Sequence, residues 1–270
     1  MDKSGGMAHD RGQGLCGFAH WSVTCGAPMD EDETMTAQGT GGGPDAGTDA
    51  PAGAAEGPAP RGRVRDAEAT KARILLAAKR EFARNGLGGA RVDDIAEKAK
   101  ANKRMIYHYF GSKEGLFQTV LEEAYVDIRT AEQKLKLDDL EPRAALERLV
   151  RFTWDYYLKN PEFLTLVNSE NLHRAKHLKK SEVVKVASRK FVGMVGEILD
   201  RGVAAGAFRA GVSPVQLNLT IAAIGYYYIT NRFTGSIVFE RDLMAKEALE
   251  ERLQFNIDTI LRLVARDPVA

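Results

Sequence analysis

Only two cysteines occur in the 270 residues, Cys16 and Cys25, and both precede residue 26. No disulfide framework can therefore staple what folds downstream. Proline is sparse too: of nine in the chain, five lie in residues 1–60, which leaves long stretches free of helix breakers. No stretch alternates apolar and polar residues long enough to propose a sheet. The N-terminus has no charged segment followed by an unbroken apolar one, so no signal peptide is read and a cytoplasmic protein is expected. The one long uncharged run, 210–231, carries Ser213, Pro214, Gln216, Asn218, Thr220 and Asn231. That is too polar for a membrane span and suits a buried or interface helix.

What is present is unevenly distributed charge. Residues 1–60 hold 2 basic and 9 acidic side chains, residues 61–113 hold 14 and 6, and residues 114–270 hold 22 of each. A module of net charge +8 thus sits between an acidic tail and a neutral body. A compact basic module is the electrostatic footprint of a nucleic-acid partner. The tail holds 13 of the 26 glycines, and the stretch 39–60 has nothing periodic to bury. Disorder is expected there, with Met7, Met29 and Met35 as alternative translation starts.

Helical periodicity begins at about Arg65. Ile74, Ala77, Ala78, Phe82 and Ala83 share a face that Gly86 terminates. Val92, Ile95, Ala96 and Ala99 mark a short second helix. Asn102 is placed to cap a third that ends near Phe110, and Ser112 to cap a fourth with Leu116, Phe117, Val120, Leu121 and Ala124 as its stripe. Beyond it, Asp139 or Glu141 before Pro142, Asn160 before Pro161, and Ser213 before Pro214 mark further starts, with Gln216 placed for a capping box. Helices are expected over 142–159, 161–172, 181–206, 213–233 and 240–265. The fold class is all-α, about nine helices, divided into a tail (1–60), a helix-turn-helix domain (61–112) and a larger helical domain (113–270).

Three short helices over 66–110 have helix-turn-helix spacing. With Ile106 centred inward, Arg104 and His108 point outward and Met105 and Tyr107 flank them. Arginine pairs bidentately with guanine, and a tyrosine hydroxyl holds phosphate. Lys113 opens the fourth helix, where free amides favour an anion. Plainer roles compete: Tyr109 and Phe110 suit packing, Lys98 and Lys100 suit solvated charges, and His108 suits an ordinary surface.

The segment 71–121, with ILLAAKREFARNG, VDDIA, IYHYF and SKEGLF in order, resembles the DNA-binding domain of TetR-family transcriptional regulators. The resemblance implies a homodimeric repressor that binds a double-stranded DNA operator and whose C-terminal domain takes a small-molecule effector. It assigns base reading to Lys103, Arg104 and Met105, and phosphate contact or support to Tyr107, Tyr109 and Lys113. Arg91 stands where the family has a threonine, and Lys100 where a turn glycine is common. With Asn102 and His108, these make the candidate DNA-binding set Arg91, Asn102, Lys103, Arg104, Met105, Tyr107, His108, Tyr109 and Lys113.

Residues 161–180 place Asn168, Asn171 and Leu172 near one another, with Phe163 and Val167 on the adjacent stripe. His173 and His177 are spaced i,i+4, a pair that suits hydrogen bonding better than zinc because no third ligand is nearby. The stretch resembles a TetR subgroup associated with aromatic and N-heterocyclic acid catabolism, which implies an effector of that class. The resemblance also implies a dimer bundle from the last two long helices, where Ala222, Ala223 and Gly225 permit close approach. Tyr226, Tyr227 and Tyr228 face three directions, so at least one faces a pocket. The candidate ligand set is Phe163, Val167, Asn168, Asn171, Leu172, His173 and Tyr228.

An enzyme is disfavoured. Gly12, Gly14 and Gly17 fit G-x-G-x-x-G without a preceding strand or following helix, and no P-loop or nucleophile elbow occurs. His9, Cys16, His20 and Cys25 are too loosely spaced for a convincing zinc site. No metal or cofactor is expected.

Overall fold

The computed structural model describes residues 61–266. The tail's cysteines, histidines and glycines, and the disorder expected of it, lie outside the described residues. Ten α-helices follow one another: α1 (Arg61–Gly89), α2 (Val92–Ala99), α3 (Lys103–Phe110), α4 (Lys113–Gln133), α5 (Pro142–Lys159), α6 (Pro161–Leu172), α7 (Glu182–Ala204), α8 (Pro214–Thr230), α9 (Arg232–Val238) and α10 (Lys246–Val264). There is no β-strand among the described residues, only an isolated bridge between Phe208 and Ala265. No helix among them is long and apolar enough to cross a membrane.

The head, α1–α3, is built as its periodicity demands. Gly86 takes φ 65° and breaks α1, after which the chain makes one more turn to Gly89. Val92, Ile95, Ala96 and Ala99 of α2 are all buried, an i, i+3, i+4, i+7 stripe. The turn that follows is made by Lys100 in the left-handed region, φ 50° and ψ 46°. The amides of Lys100 and Ala101 close it on the carbonyls of Glu97 and Ala96. A glycine would adopt that conformation without strain, whereas lysine costs about 1 kcal/mol there. The next two helices start on the expected caps: Asn102 Oδ1 accepts from the Arg104 amide at 2.8 Å and Ser112 Oγ from Gly115 at 3.0 Å. Gly115 is required at its place, since a Cβ there would lie 2.2 Å from the Phe110 carbonyl oxygen.

In the body, α5 packs on α7, α8 and α10, while α4 runs from the head along α7. Arg201 of α7 stitches the α4–α5 connection by donating to the carbonyls of Leu137, Asp138 and Leu140 at 2.8–3.1 Å. The core is continuous from Ile74 in α1 to Val264 in α10. Proline opens α5 and α6 without a side-chain cap. Asn160 instead donates to the Tyr156 carbonyl at the end of α5. Ser213 does cap α8, accepting from the Gln216 amide at 3.5 Å.

The expected helix 213–233 stops at Thr230, and the expected 240–265 begins at Lys246. Between them lies α9, which periodicity alone did not separate. Asn231 turns its side chain back onto the Tyr227 carbonyl at 2.8 Å and ends α8, and Glu240 at φ 50° ends the α9 corner. The α9 segment leaves Phe233, Ile237, Val238 and Phe239 exposed, as are Leu219 and Tyr227 of α8 and Phe255 of α10; Tyr227, Val238 and Phe239 line one hollow.

Candidate functional site

The outer face of the head comes from α3 and the residues bracketing it. Ile106 is fully buried, and around it Asn102, Lys103, Arg104, Tyr107 and His108 are exposed. Met105, Tyr109 and Phe110 are half-buried. Tyr109 meets Phe110 edge-on at 6.2 Å and packs on the core, so its ring is committed to packing. Arg91 stands exposed, in extended conformation, before α2. Six of the nine candidates therefore line the exposed rim, Arg91, Asn102, Lys103, Arg104, Tyr107 and His108, with half-buried Lys113 at its edge where α4 starts.

Two of the cations on this rim are held in place. Lys103 Nζ pairs with Asp93 Oδ1 of α2 at 2.8 Å. The ammonium holds the Asp93 carboxyl below its usual range, and the carboxylate raises Lys103 in return. Lys113 donates to the Gly88 carbonyl at 3.3 Å, tying α4 to the last turn of α1. Arg104 makes no side-chain bond or ion pair among the described residues, so its guanidinium is available to a partner. Lys98, its side chain half exposed, pairs with the buried carboxylate of Glu81, which Asn85 also bonds at 2.6 Å. Lys98 is the main reason that carboxyl sits below its ordinary value.

Behind this face, head and body meet at Phe117 of α4. Its ring is 5.1 Å from Phe82 of α1, edge-on, and 5.1 Å from His177, also edge-on. His173 and His177 each engage Nδ1 locally. His173 Nδ1 meets the Ser169 carbonyl at 2.7 Å, and His177 Nδ1 meets Glu170 Oε2 at 2.7 Å. Glu170 Oε1 accepts from the amides of His177 and Leu178. No cluster of three or more metal-ligating side chains occurs among the described residues.

The candidate ligand residues divide. Phe163 is buried among Tyr125, Tyr156 and Tyr157, at 5.5, 5.8 and 6.1 Å. Burial pushes the Tyr156 hydroxyl up to about 12 and raises Tyr157 further. Arg129 and Glu132 lie alongside: Arg129 Nη1 bonds Glu132 Oε2 at 2.7 Å and stands 4.2 Å over the Phe191 ring. Val167 is half-buried, but Asn168, Asn171 and Leu172 are exposed, Leu172 by 85%. Asn171 is spent on the Val167 carbonyl. Tyr228 stands apart from Phe163, packing on Trp154 and donating to the Leu243 carbonyl at 2.9 Å. Tyr226 is the tyrosine that reaches α6, donating to Asn168 Oδ1. Its position in a three-tyrosine run gave no sign of this.

Comparison with known proteins agrees with this layout. The family model "Bacterial regulatory proteins, tetR family" matches residues 74–120. A second, "Tetracyclin repressor-like, C-terminal domain", matches residues 142–260. The chain is 42% identical over 204 residues to the HTH-type transcriptional repressor NicS of Pseudomonas putida, covering 76% of this chain and 96% of that protein. It is 45% identical over 109 residues to the repressor SCO4008 of Streptomyces coelicolor, 40% of this chain and 53% of that one. A TetR family transcription regulator from Marinobacter aquaeolei has the same fold, with a TM-score of 0.58 at 18% identity over 75% of this chain and 98% of its own.

Proposed function

The chain belongs to the TetR family of bacterial regulatory proteins and is a helix-turn-helix transcriptional repressor, and from that premise we propose that it works as a homodimer released from its operator by a small organic ligand. The observation that carries the DNA assignment is the outer face of α3, where Arg104 stands exposed and uncommitted beside Tyr107 and His108 while Ile106 anchors the helix behind them. Arg104 reads a base edge in the major groove. Lys113, held by Gly88 beside the first turn of α4, takes a phosphate. Lys103 is positioned by Asp93, so base contact by its ammonium requires that ion pair to open.

A second copy is the occupant proposed for the apolar face of α8 and α10. Leu219 and Tyr227, two turns apart on α8, are exposed by 55% and 66%, and Phe255 of α10 by 60%. Ala223, exposed between them, permits close helix approach. The effector is assigned to the body, where Phe163 and its three tyrosines pack beside the Arg129–Glu132 pair. Its class, an aromatic or N-heterocyclic acid, rests on the resemblance of residues 161–180.

Fluorescence anisotropy with the protein's own promoter DNA tests the docking. Arg104→Ala is expected to cost about 1–3 kcal/mol and to relax preference at one operator position. Lys113→Ala is expected to weaken all sequences alike and to lower the salt slope by about one. Wild-type binding by both variants overturns the assignment. For the dimer, Ala223→Arg puts an unpaired charge in the bundle, and sedimentation is expected to show monomers; a dimer that persists unchanged places the interface elsewhere.

A further inference from the structure

A cleft of about 410 Å³ opens where α1 of the head meets α6 and the α8–α9 corner. Arg80 and Arg84 enter it from α1, Asn168 from α6, and Arg232 with Phe233 from the start of α9. Its one carboxylate, Glu162, forms no ion pair with any of these arginines among the described residues. Arg80 and Arg84 are four residues apart on one helix face, a like-charge pair that opposes itself. Arg232 is already oriented: it donates to the Ile229 carbonyl at 2.8 Å, and its guanidinium lies 4.4 Å over the Phe233 ring. Asn168 has given its oxygen to the Tyr226 hydroxyl, which leaves its amide hydrogens for an acceptor.

The cleft therefore offers guanidinium and amide donors beside apolar surface from Leu164 and Phe233. We propose that this head–body cleft is a binding site for a small organic anion, a carboxylate or phosphate with a compact apolar part, separate from the aromatic cluster around Phe163. The volume is within the range of small-molecule sites, and charge-assisted bonds to guanidinium are the strong class of hydrogen bond. An anion held by α1 on one side and by Arg232 and Asn168 on the other neutralises the Arg80–Arg84 repulsion and fixes the head's position against the body. Its effect on DNA rests on the operator-binding reading above. Its binding does not.

The test is isothermal titration of the full chain with benzoate, succinate and inorganic phosphate, with neutral benzamide as the shape-matched control. At least one anion is expected to bind while benzamide does not, and Arg84→Gln and Arg232→Gln are each expected to weaken binding about tenfold. Phe163→Leu is expected to leave it unchanged. Absence of binding by all three anions at millimolar concentration overturns the site, as does binding that survives both arginine substitutions or is lost with Phe163→Leu. Operator anisotropy then reads the coupling: the bound anion is expected to change operator affinity in wild type and not in Arg84→Gln. If Arg84→Gln weakens the operator complex with no anion present, Arg84 acts on DNA by itself and the proposed coupling is overturned, whatever the titration shows of binding. A protein that binds the anion but no specific DNA refutes the regulatory reading and leaves the site standing.

Discussion

Head and body each bury a glutamate, and they treat it in opposite ways. Glu81 of α1 is 1% exposed and Glu132 of α4 is 2% exposed. In the head, Lys98 reaches Glu81 with its stem half in water, and Asn85 adds a second donor. The carboxyl stays charged, below its usual pKa. In the body, Arg129 is itself nearly enclosed, and the cost of stripping water from the carboxylate exceeds what the guanidinium returns. Burial pushes Glu132 up to about 7. The same pairing of opposite charges thus stabilises a small, wet module and strains a large, dry one.

Removing the cation from each pair sharpens the contrast. Arg129→Met takes the cation and its hydrogen bonds from buried Glu132 and is expected to cost about 3–5 kcal/mol in urea unfolding at pH 8, where the wild-type carboxyl is mostly charged; a loss below that of the Lys98 variant breaks the comparison. The pH dependence comes next in size. Because the folded state holds Glu132 above its unfolded value, the fold favours the protonated carboxyl. Its contribution is complete below pH 4.5 and is lost as pH rises through about 7. Stability is expected to fall by up to about 3 kcal/mol across that window, and Glu132→Gln is expected to flatten the fall. Glu81 has the reverse sign: its folded value is depressed, so its contribution is present above the unfolded pKa and is lost as pH falls through the folded one. The smallest effect is expected from Lys98→Met, about 1–2 kcal/mol, because Asn85 still bonds the carboxylate and water reaches the vacated position. An acid midpoint unchanged in Lys98→Met would remove Glu81 from the account.

The head was largely legible in the sequence, and the body only in outline. Asn102, Ser112 and Gly86 act locally, within one turn of where they stand, so their roles follow from spacing. The outward set around Arg104 follows from the phase of an eight-residue helix, too short for phase error to accumulate. In the body, which tyrosine of 226–228 meets α6 depends on how α8 is rotated against its neighbours, and periodicity does not contain that. The cleft of Arg80, Arg84 and Arg232 joins residues more than 140 positions apart, each of which reads alone as an ordinary surface charge. Glu132 looks equally ordinary, since only the packing of the surrounding helices takes it out of water. The break at Asn231 was missed because an asparagine that bonds the carbonyl four residues back is indistinguishable in sequence from one that faces solvent.

Phe117 has a further consequence. Its ring belongs at once to the packing around Phe82 and to the packing around His177, so neither region can lose its order and leave the other's intact. A division after residue 112 separates tasks along the chain, but it cuts Phe82 from the ring that covers it. Head and body are therefore expected to melt as one cooperative unit, and a head cut off after residue 112 to lose part of its interior.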